Sequence, residues 1–122
     1  MENSSCSCND KVAKPVFACS GAADLGEISD LVARELHTEG NRQMKCLAFI
    51  GAGIQKMIDS VKDSNILVID GCDLDCGRIT MEKNGISEFH HLRLTDLGYI
   101  KGQTPVSGDT VNHITTHAMG IS

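Results

Sequence analysis

Short apolar runs alternate along the chain with stretches in which apolar residues recur every three or four positions. The runs at residues 16–19 and 66–69 predict buried strands, and the second is uninterrupted and mostly β-branched. A helix is predicted after the first run, because apolar residues follow at helical spacing, at Leu25, Ile28, Leu31, Val32 and Leu36. The chain therefore begins with a strand, a turn and a helix.

The same pattern continues to the end of the sequence. Helical spacing predicts helices over residues 54–61, about 74–84 and 109–119, and residues 88–94 read as a further strand. Residues 44–53 fit either a buried strand or an irregular approach to the next helix.

Capping residues support two of these helices. Asp24 and Glu27 resemble a capping box at the start of the first helix, and Gly40 is placed to stop it. Gly85 is expected to close the third helix in the left-handed conformation.

Strands that alternate with helices of this length predict an α/β fold, a three-layer sandwich with a small, mostly parallel sheet and helices on both faces. A chain of 122 residues forms one domain, which we place at residues 15–122. Residues 1–14 are polar, are rich in Ser and Asn and end before Pro15, so we expect a mobile N-terminal arm.

The charge of the chain limits its partners. A formal net charge of -5 argues against nucleic acid or an anionic membrane as the main partner. The longest apolar stretches fall far short of the roughly 20 residues that a membrane span requires, and the first residues lack the basic region and apolar core of a secretion signal. We therefore expect a cytoplasmic protein. The sequence indicates neither a protein partner nor an oligomeric state.

Cysteine is the unusual feature of the composition. Six cysteines occur, at positions 6, 8, 19, 46, 72 and 76. In a reducing compartment, metal or thiol chemistry explains them better than a disulfide framework. The alternative is a small buried core residue, which fits best at Cys46, at the head of an apolar run.

Cys72 and Cys76 lie where the strongest strand turns into a helix. Residues four apart share one helix face, so the two sulfurs could hold one metal ion or react with each other. Unpaired N–H groups at a helix start also favour the thiolate over the thiol. We expect Asp70 and Gly71 to shape the turn, with Gly71 adopting a backbone angle that other residues resist.

Parallel sheets gather ligands at the carboxyl ends of their strands. If the first strand and the strand at 66–69 are neighbours, Cys19 and Cys72 lie at the same edge, and Cys76 lies one turn further on. Cys46 is a possible fourth member of an all-thiolate set, which tetrahedral zinc accepts. A regular parallel strand at 47–50 would leave Cys46 about 13 Å from that edge, so we expect an irregular loop over residues 44–50.

The histidines are weaker candidates. His113 and His117 are four apart on a predicted helix, but no Glu-containing motif accompanies them, which favours a solvated helix face. His90 and His91 lie on opposite faces of a strand, so at most one points to any given site. His37 reads as a surface residue near a helix end.

Three enzyme motifs are incomplete. The loop after Cys19 begins like that of a cysteine phosphatase, but Leu25 stands where the phosphate-binding Arg is needed. Residues 51–53 begin like a dinucleotide loop, yet Lys56 occupies the third glycine position. The two cysteines of the third helix lack the two-residue spacing of thioredoxin-like pairs.

The chain resembles the DGC-domain family, whose members are described as zinc-binding proteins. The resemblance rests on Asp70-Gly71-Cys72 with Cys76 four residues on, and it covers nearly the whole domain. Its other motifs are Cys19-Ser20-Gly21, Cys46-Leu47-Ala48 with Gly51, Gly85-Ile86, and Thr95-Asp96-Leu97-Gly98 with Lys101. The resemblance implies that the family's four cysteines are Cys19, Cys46, Cys72 and Cys76, and it implies no activity.

These observations favour a zinc protein with four thiolate ligands, in a structural or sensing role. Four thiolates around one zinc ion have a net charge of about -2, which we expect Arg78 or Lys101 to offset. An iron–sulfur cluster could use the same ligands. A thiol-dependent enzyme or redox protein would instead keep a free cysteine thiolate for its chemistry. A metal-delivery protein would use Cys6 and Cys8 on the arm as a transfer limb.

Overall fold

The computed structural model describes residues 13–122. Four strands are formed: β1 (Pro15–Ala18), β2 (Gln43–Met44), β3 (Leu67–Asp70) and β4 (His90–Arg93). Five α-helices accompany them: α1 (Asp24–Thr38), α2 (Leu47–Gly51), α3 (Gln55–Val61), α4 (Cys76–Lys83) and α5 (Gly108–Met119). A 3-10 turn, Leu94–Leu97, follows β4.

The strands form one parallel sheet in the order β2-β1-β3-β4. β1 and β3 are central neighbours, with Ala18 opposite Ile69. β2 flanks β1, with Val16 opposite Met44, and β4 flanks β3, with Ile69 opposite Leu92. Because all four strands are parallel, their carboxyl ends lie at one edge of the sheet.

Alternate side chains of the central strands face two separate cores. One core joins the sheet to α1 and α5, and includes Val16, Leu67, Ile69, Ile28 and Ile114. The other joins it to α2, α3 and α4, and includes Phe17, Val68, Ile50, Ile58 and Met81. Helices thus cover both faces, and the predicted three-layer α/β sandwich is confirmed.

Residues 44–50 differ from both sequence interpretations. β2 ends at Met44, and a short helix begins at Leu47, where we expected an irregular loop. Ile50 is fully buried, and Leu47 and Phe49 pack against the same core. The strand has already ended at Met44, so the apolar residues that follow are buried on one face of a short helix instead.

The ends of two helices also depart from expectation. Ala23 is the N-cap of α1 and makes no side-chain cap, so the predicted capping box is wrong. Helix α4 begins at Cys76 because Asp75 before it has a left-handed backbone, with φ of 54°. Gly85 has φ of 82° after α4, as predicted.

Most of the expected arm, residues 1–12 with Cys6 and Cys8, lies outside the described residues. Its last two residues are hydrogen-bonded to other parts of the chain: the carbonyl of Ala13 accepts from the N–H of Asn65, before β3, and that of Lys14 from the N–H of Gln43 on β2, at 3.0 Å each. Between residues 13 and 122, none of the helices has the length and apolar character that crossing a bilayer would take.

Candidate thiolate site

Three strand ends deliver three cysteines to one edge of the sheet. Cys19 follows the last residue of β1, and its N–H donates to the carbonyl of Ile69 on β3 at 3.0 Å. Cys72 comes two residues after the end of β3. Cys46 comes two residues after β2, so the register with β1 places it level with Ala18. The early end of β2 removes the 13 Å separation that a longer strand would have imposed.

Cys19 is partly buried among polar groups. Its sulfur accepts a hydrogen bond from the N–H of Gly71 at 3.2 Å, and its thiol lies 3.9 Å from the hydroxyl oxygen of Ser29. Burial raises the pKa of the Cys19 thiol, and the nearby Asp70 carboxylate raises it further against the lowering effect of the Gly71 N–H. Any metal that binds this sulfur must therefore displace a proton held more firmly than usual.

Cys72 is partly buried and lies near a lysine from a distant loop. The Lys101 ammonium nitrogen is 3.9 Å from its sulfur. Asp24 fixes that loop, because its carboxylate accepts from the N–H groups of Gly102 (2.9 Å) and Thr104 (3.0 Å). These two bonds lower the pKa of Asp24. A carboxylate that we expected in a capping box therefore positions a cation beside Cys72.

Cys46 and Cys76 are exposed, the first as the N-cap of α2 and the second as the first residue of α4. Within residues 13–122, no three of the four cysteine sulfurs lie within 4.8 Å of one another. Tetrahedral zinc with Zn–S bonds near 2.3 Å brings its sulfurs to about 3.8 Å. The structure thus places the four cysteines at one edge without closing them into a set.

Asp70 occupies the start of α4. One carboxylate oxygen accepts from the N–H of Gly77 at 2.7 Å and the other from the N–H of Arg78 at 3.0 Å. We expected these helix N–H groups to favour a cysteine thiolate, but the carboxylate takes them. A Cβ on Gly77 would lie 2.9 Å from the Asp70 carboxylate, so glycine is needed for this approach.

A second buried carboxylate, Asp75, joins α4 to β4. Its oxygens accept from Nε and Nη2 of Arg93, the former at 2.8 Å, and from Nε of Arg78 at 3.2 Å. The bond to Arg93, more than any other contact, holds the pKa of Asp75 below its usual range. The Arg93 pKa is raised for the same reason. Arg78, which we expected near the thiolates, is bound to Asp75 and Glu82.

His91 lies between the two carboxylates. Its Nε2 is 2.8 Å from Asp70 and 3.7 Å from Asp75, and it donates to Asp70, whose oxygens act as acceptors. In the described part of the chain these three side chains are the one group whose possible metal-ligand atoms all lie within 4.8 Å. Arg93 and Arg78 already supply positive charge there, so we interpret the group as an ion-pair network that fixes the Cys72–Cys76 turn.

Gly71 is needed for a different reason from the one we predicted. It is absent from the glycines with positive φ among residues 13–122, so the expected unusual backbone angle is wrong. Instead, a Cβ at Gly71 would lie 2.8 Å from the Cβ of Leu25 and 2.9 Å from its carbonyl carbon. The glycine lets the end of β3 pass against helix α1.

Sequence reasoning missed the roles of His91 and Arg93. Alternation on β4 predicted that only one of His90 and His91 faces any given site, and His91 is that residue. No sequence signal pairs β4 with the turn after β3, because that contact depends on the two strands being neighbours. His113, one of the weaker candidates from the sequence, is hydrogen-bonded through Nδ1 to the Tyr99 hydroxyl at 2.7 Å.

Comparisons with known proteins give one curated relative and a family. The curated "Anaerobic and virulence modulator AnvM" of Pseudomonas aeruginosa (strain PAO1) is 26% identical over 87 residues, 70% of this chain and 66% of that protein. The chain therefore aligns with just under two thirds of this relative's length. No solved structure matches the chain. The DGC domain family matches residues 15–118, and the chain belongs to this family.

Proposed function

We propose that this protein binds zinc through the thiolates of Cys19, Cys46, Cys72 and Cys76, in a structural or sensing role in the cytoplasm. The observation that carries the proposal is the convergence of three strand ends and the start of α4 on one edge of the sheet. An all-cysteine donor set suits a tetrahedral zinc site, and four protein ligands leave no open position for catalysis.

The segment from β2 to α2 is the part that we expect to adjust on binding. α2 has five residues, and its N-cap, Cys46, makes no side-chain cap. The turn that carries Cys72 and Cys76 is held instead by the Asp70 and Asp75 networks. We therefore expect the exposed Cys46 segment to move most when the four sulfurs close around zinc.

A sensing role is supported by two features. Closure by a short, exposed segment makes the local conformation depend on the metal. AnvM is named as a modulator, and its similarity to this chain favours a regulatory protein over a metalloenzyme. Lys101, at 3.9 Å from Cys72, offsets part of the negative charge of the thiolate site.

The experiment measures the metal content and visible spectrum of the purified full-length chain. We expect one zinc per chain without colour, and loss of zinc in Cys19→Ser, Cys46→Ser, Cys72→Ser and Cys76→Ser. The double variant Cys6→Ser/Cys8→Ser is the matched control and should keep its zinc. A coloured protein that contains iron and sulfide would indicate an iron–sulfur cluster in place of zinc. Full zinc content in any of the four single variants would overturn the four-thiolate site.

A further inference from the structure

A cavity of about 850 Å³ lies beside the cysteine edge, between helix α1 and the segment that leads from β2 into α2. Met44, Leu47 and Ala48 supply apolar lining, and the exposed Cys46 is part of the wall. Ligand pockets for small molecules measure about 300–1,000 Å³. This cavity, which we call the groove, is therefore large enough for a small molecule that also reaches the Cys46 sulfur.

The charged residues of the groove favour an anion. Arg34 and Lys45 contribute two positive charges and Asp30 one negative charge, whereas the whole chain has a net charge of -5. Asp30 is already bound, because it accepts from Nε of Arg34 at 2.6 Å and from the hydroxyl of Ser20 at 2.9 Å. Within residues 13–122, Lys45 has no ion pair and the two Nη atoms of Arg34 have no hydrogen bond.

The edge of the sheet argues against an extended peptide in the groove. The N–H groups of Gln43 and Lys45 are bonded to the carbonyls of Lys14 and Val16. The N–H of Met44, between them, donates to Nδ1 of His37 at 2.9 Å. β2 thus offers no free N–H to an added strand, and strand addition depends on such main-chain bonds.

We propose that this groove binds a low-molecular-weight disulfide that carries carboxylates. The carboxylates lie against Arg34 and Lys45, and the disulfide lies against Cys46. The Cys46 thiolate attacks one ligand sulfur, a Cys46–sulfur bond forms, the ligand S–S bond breaks, and the other half leaves as a thiolate that takes a proton from water. The ligand is itself the oxidant. This inference concerns the metal-free protein and does not depend on the proposed zinc site, since zinc would use the same sulfur.

The experiment compares two disulfides on the reduced, metal-free full-length chain. Oxidised glutathione carries carboxylates, and 2-hydroxyethyl disulfide is uncharged; the rate of modification at Cys46 is read by peptide mass spectrometry. We expect Lys45→Gln and Arg34→Gln each to slow the reaction with glutathione disulfide about two- to fivefold and to leave the uncharged probe nearly unchanged. Asp30→Asn should act in the opposite direction, because it removes the negative charge of the groove.

Lys56→Gln is the matched control, since Lys56 is an exposed lysine of α3 outside the groove. Equal effects of the Lys45 and Arg34 variants on both disulfides would overturn the proposal, as would preferential modification of Cys72 or Cys76. A parallel measurement on zinc-loaded protein separates the two proposals. If zinc fails to protect Cys46, its role as a zinc ligand fails while the groove assignment stands.

Discussion

At the scale of single residues, Gly71 shows how closely two elements meet beneath the cysteine edge. A Cβ there would lie 2.8–3.0 Å from three atoms of Leu25, two of them backbone. We expect Gly71→Ala to lower the free energy of unfolding by about 1–3 kcal/mol, because relieving the clash would require helix α1 or the end of β3 to shift. Urea denaturation measures the change.

Gly21→Ala is the control for this substitution. Gly21 is exposed, and a Cβ there would meet nothing within 4 Å. Its effect should stay within about 0.5 kcal/mol. If both variants unfold at the same urea concentration, close packing at Gly71 is not what requires glycine.

Asp75 makes stability depend on acid pH. Its pKa is lowered in the folded state, first by its bond to Arg93, so its contribution is present above the unfolded carboxyl pKa of about 3.9. That contribution is lost as the pH falls through the lower, folded pKa, because the unfolded chain takes up the proton first. We therefore expect the free energy of unfolding to fall as the pH drops below about 5.

Asp75→Asn isolates this effect, because Asn tolerates the left-handed backbone that Asp75 adopts. Urea titrations at several acid pH values should give a shallower pH dependence for the variant than for the natural chain. An identical slope in the two proteins would show that another group controls acid unfolding.

At the scale of elements, Asp24 ties the start of α1 to the loop that carries Lys101. Its carboxylate accepts from the N–H groups of Gly102 and Thr104. We expect Asp24→Ala to speed hydrogen exchange at those two amides and to move Lys101 away from Cys72. Amide exchange measured by NMR or mass spectrometry reports the first effect.

Asp24→Asn keeps one acceptor oxygen and should give a smaller increase than Asp24→Ala. Asp109→Ala removes an exposed carboxylate in the first turn of α5 and should leave the Gly102 amide unchanged. Slow exchange at Gly102 and Thr104 in Asp24→Ala would mean that the loop is held by other contacts.

The elements themselves were predictable to different degrees. β3 and α5 have patterns long or apolar enough to identify, and both are found near their expected bounds. Residues 44–51 were not assignable, because a two-residue strand and a five-residue helix are each too short to show a period. Their boundary nevertheless decides whether Cys46 reaches the cysteine edge.

At the scale of the whole molecule, the proposed zinc site joins separate elements. Zinc held there would link the ends of β1 and β3 to the starts of α2 and α4. We expect zinc to slow hydrogen exchange in residues 47–51 and 72–78 and to leave α5 unaffected, since α5 packs on the opposite face of the sheet. Cys72→Ser should abolish this protection, and uniform protection throughout the chain would instead indicate general stabilisation.

The sequence by itself determined the α/β class, the parallel sheet and the family, because these depend on local periodicity and on motifs of neighbouring residues. It also singled out the four cysteines, whose joint role as ligands stays a prediction. The tertiary structure decided which groups surround them: Asp70 at the start of α4, His91 and Arg93 from β4, and Lys101 from a loop held by Asp24. These contacts join residues far apart in the chain, so they exist only once strand order and helix packing are fixed.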